Sequence, residues 1–211
     1  MNVKLTDRDK QIISFLRKYK CANTQTLAKL FFTSRTLAER RLKKLVESGH
    51  IRRWREDILH PYTFYIGKRP TNLVHSSMIS EIYAELMIKY QVVKIEREYE
   101  IRYGSNMVRS DLMAVLRING KLQPILVECD LNRCMKYKYD NYINENYYQQ
   151  KFGVKPMIIS ISKFKPKSNT PIKHIRLEEF KTNGIEIKVW DFFSYPFYLL
   201  KKIIKYFRLN N

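Results

Sequence analysis

The chain has 211 residues and a formal net charge of +20, with 40 Lys and Arg against 20 Asp and Glu. That balance points to a polyanionic partner, foremost nucleic acid, because each neutralised phosphate releases counterions. Three cysteines (Cys21, Cys129, Cys134) have neither disulfide-frame nor zinc-site spacing, and no apolar run approaches a membrane span. The opening MNVKLTDRDK has no apolar core of a leader, so a reduced, cytoplasmic protein without stable membrane insertion is expected. No Gly-rich phosphate loop occurs, which argues against an ATP-driven function. Residues 1–68 hold 16 basic against 6 acidic side chains and residues 69–211 hold 24 against 14, so the shorter part is the more densely basic.

Thr6 and Asp9 are spaced like a capping box, and Ile12, Ile13, Phe15 and Leu16 recur at helical spacing over 7–19. A break follows at 20–22. Asn23 or Thr24 can cap a helix over 25–31, with Leu27, Leu30 and Phe31 inward. Thr33 or Ser34 can cap a third, 35–47, which Ser48-Gly49 stops. Leu37, the methylenes of Arg41, Leu42, Leu45 and Val46 form its expected core stripe, leaving Thr36, Glu39, Arg40 and Lys43 outward. Extended runs at 50–55 and 63–66 flank a turn at 57–61.

This order resembles the winged helix-turn-helix family over nearly all of residues 1–68. The resemblance implies that the third helix enters the major groove of double-stranded DNA while the hairpin contacts backbone or minor groove. Arg35, Thr36, Arg40 and Lys43 are then the groove-facing residues, and Arg52, Arg53 and Arg55 the phosphate contacts. A solvated basic face, or a winged helix used for protein contacts, is the competing reading.

Pro70-Thr71-Asn72 marks an expected boundary, so that 1–68 and 69–211 form two domains of a mixed α/β chain. A helix is expected over 76–90, with Ile79, Ile82, Tyr83, Leu86 and Met87 on one face. Residues 92–103 alternate as a half-buried strand, and 108–130 form a hairpin about Asn119-Gly120, which favours a two-residue turn. A helix over 133–152, a strand at 156–162, a short helix at 177–182 and a strand at 185–190 follow. The last helix, 196–209, is amphipathic, with Phe197, Leu199, Leu200, Ile203, Ile204 and Phe207 on one arc and Lys201, Lys202, Lys205 and Arg208 on another. Packing on its own domain or on a second subunit is the expected use of that helix, with membrane-surface binding as the alternative.

Asp111 lies early in the hairpin, and Glu128 and Asp130 share a face at its end. Carboxylates gathered where two strands meet are the usual ligands of Mg²⁺. Caps or ion pairs are the plainer use: Asp130 before the next helix, or partners in Arg109 and Lys138. The helix–three strands–helix–strand order and the spacing Asp111–x16–Glu128–x–Asp130 resemble the PD-(D/E)xK nucleases. Ser110 stands where that family has proline, and Asp130 where it has its catalytic lysine. The resemblance implies that a lysine of the following helix, Lys136 or Lys138, would have to serve, with Asp111, Glu128, Asp130 and Lys138 as the catalytic set of a Mg²⁺-dependent endonuclease.

Both parts together resemble the replication-relaxation protein family of plasmids, conjugative elements and phages. The matching residues are Ser110-Asp111-Leu112, Glu128-Cys129-Asp130, and Lys138 with Tyr142. That resemblance implies a DNA-binding regulator or accessory factor in replication, mobilisation or transcription, a homodimer, and replication or mobilisation proteins as further partners. It implies no required cofactor and no established reaction. Tyr137, Tyr139, Tyr142, Tyr147 and Tyr148 crowd one segment, as core or dimer contacts more than as bases' stacking partners. His50, His60, His75 and His174 are scattered without an HxH pair, which argues against a relaxase.

Overall fold

A computed structural model describes residues 4–132 and 135–187. The first helix, α1 (Asp7–Tyr19), begins with the capping box the sequence predicts. The Thr6 amide donates to Asp9 at 2.7 Å, and the Asp9 amide donates back to the Thr6 hydroxyl at 3.3 Å. Residues 20–22 are more than a break, because β1 (Cys21–Asn23) is a strand that ends on the cap of α2 (Thr24–Phe31). The Asn23 side chain accepts from the Thr26 amide at 2.8 Å. Ser34 caps α3 (Arg35–Glu47), and β2 (Arg52–Trp54) and β3 (Thr63–Tyr65) follow. These strands form an antiparallel sheet in the order β1-β3-β2.

Two details of α3 differ from expectation. The buried residues are Ala38, Leu42 and Leu45, at i, i+4 and i+7, while Leu37 is 48% exposed. Leu42 and Leu45 are buried as expected and Val46 packs partly buried against the same core, so the difference is confined to the first turns, where Ala38 and not Leu37 meets it. Arg41 does not merely lay methylenes on the core. Its Nε donates to Oδ1 of Asp9 at 2.9 Å and its Nη2 pairs with Oδ2. Asp9 is fully buried, so Arg41 ties α3 to the cap of α1.

The next helix, α4 (Leu73–Lys89), is apolar on several sides and buried between the first three helices and a second sheet. Tyr83 packs on Phe15 and Tyr19, with ring centroids 5.3 and 4.6 Å apart. Ser80 bonds the Cys21 carbonyl, Asn23 donates to Glu81 at 2.6 Å, and Lys29 pairs with Glu85 at 2.7 Å. Met78, Ile79, Ile82 and Leu86 join a core that runs from Ile12 to the sheet residues Leu112, Val127 and Ile159. Met87, expected inward, is 42% exposed. The apolar core therefore continues across the expected boundary at residue 69.

That second sheet is formed by β4 (Gln91–Tyr103), β5 (Asn106–Ile118), β6 (Lys121–Asp130), β7 (Met157–Ser162) and β8 (Lys173–Arg176), in sequential order. The first two pairings are antiparallel and the last two parallel. Ile118 pairs with Lys121 across Asn119-Gly120, whose φ values of 49° and 76° are those of the two-residue turn predicted there.

The helix expected over 133–152 is instead two short ones, α5 (Asp140–Asn144) and α6 (Tyr148–Phe152). Tertiary pairing overrides local propensity at its start: Tyr137 donates to the Lys167 carbonyl and Lys167 to that of Met135, both at 2.8 Å. Asn146, at φ 58°, separates the two helices. Tyr139 and Tyr142 are wholly buried under the sheet's other face, as core residues. The strand β8 was not expected, and α7 (Leu177–Asn183) follows it. Residues 185–187 are not a strand; Ile185 and Ile187 are buried beside Tyr90, whose hydroxyl accepts from the Ile187 amide at 2.7 Å. The rest of that expected strand and the amphipathic helix 196–209 lie outside the described residues.

The Asp9–Arg41 pair gives a pH prediction. Burial alone would raise the Asp9 pKa, but hydrogen bonds from Arg41 and Thr6 hold it at about 2, below its ordinary 3.8. The folded value is the lower, so this stabilisation is full above pH ~4 and lost as pH falls toward 2, by roughly 2 kcal/mol. Urea denaturation between pH 2 and 6 is expected to show that loss in the wild type and not in Asp9→Asn. Arg41→Ala, which strands a buried carboxylate, is expected to cost about 3 kcal/mol at pH 7.

Candidate functional site

Two regions carry the chemistry that the sequence points to. In the first, Thr36, Arg40 and Lys43 are exposed on the α3 face turned away from Ala38, Leu42 and Leu45, and Arg35 is exposed in the first turn of the helix. Arg35 pairs with Glu39 at 2.8 Å, and Lys43 lies 3.8 Å from Glu47. Such exposed pairs are weak and are readily exchanged for phosphate. Arg40 makes no ion pair among the described residues. The exposed Leu37 sits among these cations.

The β2–β3 hairpin adds a second cationic group. Arg52 and Arg53 are exposed and Arg55 is half-buried. The guanidinium carbons of Arg53 and Arg55 lie 4.2 and 4.6 Å from the Tyr62 ring centroid, and that of Arg69 lies 5.0 Å from Trp54. Stacking restrains these side chains without consuming their outward N–H donors.

In the second region, β5 and β6 part. Their ladder ends at Leu112–Val127, one residue short of the position where Asp111 would oppose Glu128. The β4–β5 register also passes over Asp111 and Glu98, the latter at φ 52°. Beyond the end of the ladder, the Cys129 amide donates to the Asp111 carboxylate at 2.8 Å. A cleft of about 900 Å³ opens beside it. Its walls include Trp54, Arg69, the start of α4 with His75, and the carboxylates Asp111, Glu128 and Asp130 with Lys138.

Like charges facing across strands are unfavourable, and here each has a chain-borne cation. His75 Nε2 is 3.2 Å from Asp111 Oδ2, and Lys138 Nζ donates to Glu128 Oε2 at 2.6 Å. Tyr139 hydroxyl donates to the other Glu128 oxygen. Burial pushes the Glu128 carboxyl up to about 7, against the pull of Lys138. Burial also tends to raise Asp111, but the bonds from His75 and the Cys129 amide bring it below its ordinary value. The Asp111 hydrogen bond raises His75. Asp130 is raised by burial.

Of the expected catalytic set, the structure brings Asp111, Glu128, Asp130 and Lys138 to one cleft. Lys138, not Lys136, reaches Glu128, and it does so from the segment before α5 and not from a helix shared with Tyr142. No helix starts at Asp130 to be capped, since α5 begins at Asp140. Asp111 is paired by His75 and not by Arg109. Nothing in the sequence flags His75; it is one of four scattered histidines, and only the fold sets it against Asp111.

Both Glu128 oxygens are occupied by Lys138 and Tyr139, and no group of three His, Cys, Asp or Glu among the described residues could hold a metal. Among those residues no helix is long and apolar enough to cross a membrane.

No family model matches the chain, and no curated protein is detectably similar to it. A solved structure, that of protein VC1899 from Vibrio cholerae, is similar at 14% identity over 86% of this chain, with a TM-score of 0.36. The chain spans 44% of the length of that protein. A likeness at this level carries no argument about fold or function.

The site generates one direct test. Removing the cation in Lys138→Met is expected to drive the Glu128 carboxyl further above 7, because burial is then opposed only by the Tyr139 hydrogen bond. Carboxyl ¹³C titration would show the shift. A Glu128 resonance that titrates near 4.5 in the wild type would contradict the assignment.

Proposed function

We propose that this chain is a DNA-binding protein whose α3 lies in the major groove of a duplex while the β2–β3 hairpin lies along the backbone. The observation that carries the reading is the shared exposure of Thr36, Arg40 and Lys43 on one face of α3, with Arg35 exposed in its first turn, and of Arg52 and Arg53 on the hairpin that follows, with Arg55 half-buried. The order of α1, α2, α3 and the β1-β3-β2 sheet supports a winged-helix reading of residues 1–68. The five-stranded sheet then acts as a nuclease-like platform, its carboxylates closed by Lys138, Tyr139 and His75. A role as regulator or accessory factor in the replication, mobilisation or transcription of a mobile element, acting as a homodimer, rests on the resemblance to replication-relaxation proteins.

The competing reading is a Mg²⁺-dependent endonuclease, favoured by the meeting of Lys138 with Glu128 beside Asp111. One experiment separates the two. Full-length protein is titrated onto labelled duplex DNA from the element's own upstream region across a salt series, each sample split with and without Mg²⁺. A binder gives affinity that falls steeply with salt, and intact strands on a denaturing gel. Arg40→Ala is expected to weaken binding roughly tenfold and to lower the salt slope by about 1. Asp111→Ala is expected to leave affinity unchanged. Metal-dependent nicking that Asp111→Ala abolishes would overturn this reading in favour of the enzyme.

A further inference from the structure

The tip of the β2–β3 hairpin has a composition that its exposure does not explain. Ile58 and Leu59 are adjacent, 78% and 91% exposed, and make up the apex of the loop. An apex facing only water is normally polar. This one is also held in shape. The Asp57 carboxylate accepts from the amides of Leu59 at 2.7 Å and His60 at 3.1 Å, and from the His60 ring at 2.8 Å. Pro61 then fixes the return of the chain. Two apolar side chains are thus presented on a preformed turn, so little ordering entropy remains to oppose their burial.

We propose that Ile58 and Leu59 form an apolar wedge that enters the minor groove of duplex DNA and partly unstacks one flexible, A·T-rich base step. The proposal rests on the DNA-binding reading above and adds to it the apolar wedge, the deformation and the class of sequence. Charge selects this occupant over an apolar protein surface. Arg52 and Arg53 on β2 and Arg55 just after it lead into the tip, the last two braced on Tyr62, where they would meet the phosphates that border a groove. Apolar wedges flanked by cations are how proteins unstack and kink DNA from the minor groove. Pyrimidine–purine steps such as TA unstack at the lowest cost, which gives sequence preference without base-edge contacts. Asp57 is tied to its own loop, whereas the exposed Glu56 opposes a phosphate. Glu56→Gln is therefore expected to tighten binding.

The test uses the full chain and duplexes of about 30 base pairs carrying 2-aminopurine at a central TA step, with end labels for energy transfer. Wild-type protein is expected to raise 2-aminopurine fluorescence and shorten the end-to-end distance. The Ile58→Ser/Leu59→Ser variant is expected to lose both signals and to bind about tenfold more weakly, with an unchanged salt slope. These residues are exposed, so the variant keeps its fold, checked by its melting temperature. If the wild type binds and neither signal changes, the wedge is wrong while DNA binding stands. If the wild type binds no duplex at any salt, both readings fall. If the double variant instead converts a dimer to a monomer in light scattering with DNA signals intact, the tip is a contact between copies and the proposal is overturned.

Discussion

The fold depends on the burial of α4 (Leu73–Lys89) from more than one side at once. The apolar residues of this helix lie on several sides, so one covering layer does not suffice: Phe15, Tyr19 and β1 cover one side and residues of the second sheet another. The basic three-helix unit and the five-stranded sheet are therefore built on the same helix. Polar links specify the docking that burial drives: Ser80 to the Cys21 carbonyl, Asn23 to Glu81, Lys29 to Glu85. Arg97, from the first strand of the sheet, reaches the Tyr19 carbonyl and the Ser76 hydroxyl and closes the junction from its far side. Any surface that the α3 face presents is thereby fixed relative to the cleft.

The cleft follows from a second constraint, the parting of β5 and β6. A ladder that continued past Leu112–Val127 would set Asp111 directly opposite Glu128 with no room for counter-charge. Ending it there lets Asp111 take up the Cys129 amide and admits His75 and Lys138 from two other elements. Asp111 and Glu128 are then each paired with a cation from within the chain.

Local signals were legible wherever the residues that form an element also stabilise it. The Thr6–Asp9 box, the Ser34 cap and the Asn119-Gly120 turn are short-range devices, and each appears where the sequence places it. At the start of α3 hydrophobicity points to Leu37, whereas the residue that meets the core is the smaller Ala38, which lets the helix pack closely. The segment after Asp130 was read as one helix because its aromatic and lysine spacing fits one. The extended pairing of 135–137 with Lys167 is a contact some thirty residues away that no local window contains.

The sequence by itself determined the mixed α/β class, the order of most elements, the outward basic face of α3 and the carboxylates at 111, 128 and 130. These follow from charge, periodicity and capping, which act over a few residues. Only the tertiary structure decided that one core spans both parts and that Lys138 reaches Glu128 from an irregular segment. It alone set His75 against Asp111. Those outcomes depend on how elements distant in the chain pack together. Burial and electrostatic pairing between them are set by three-dimensional proximity, which spacing along the chain does not encode.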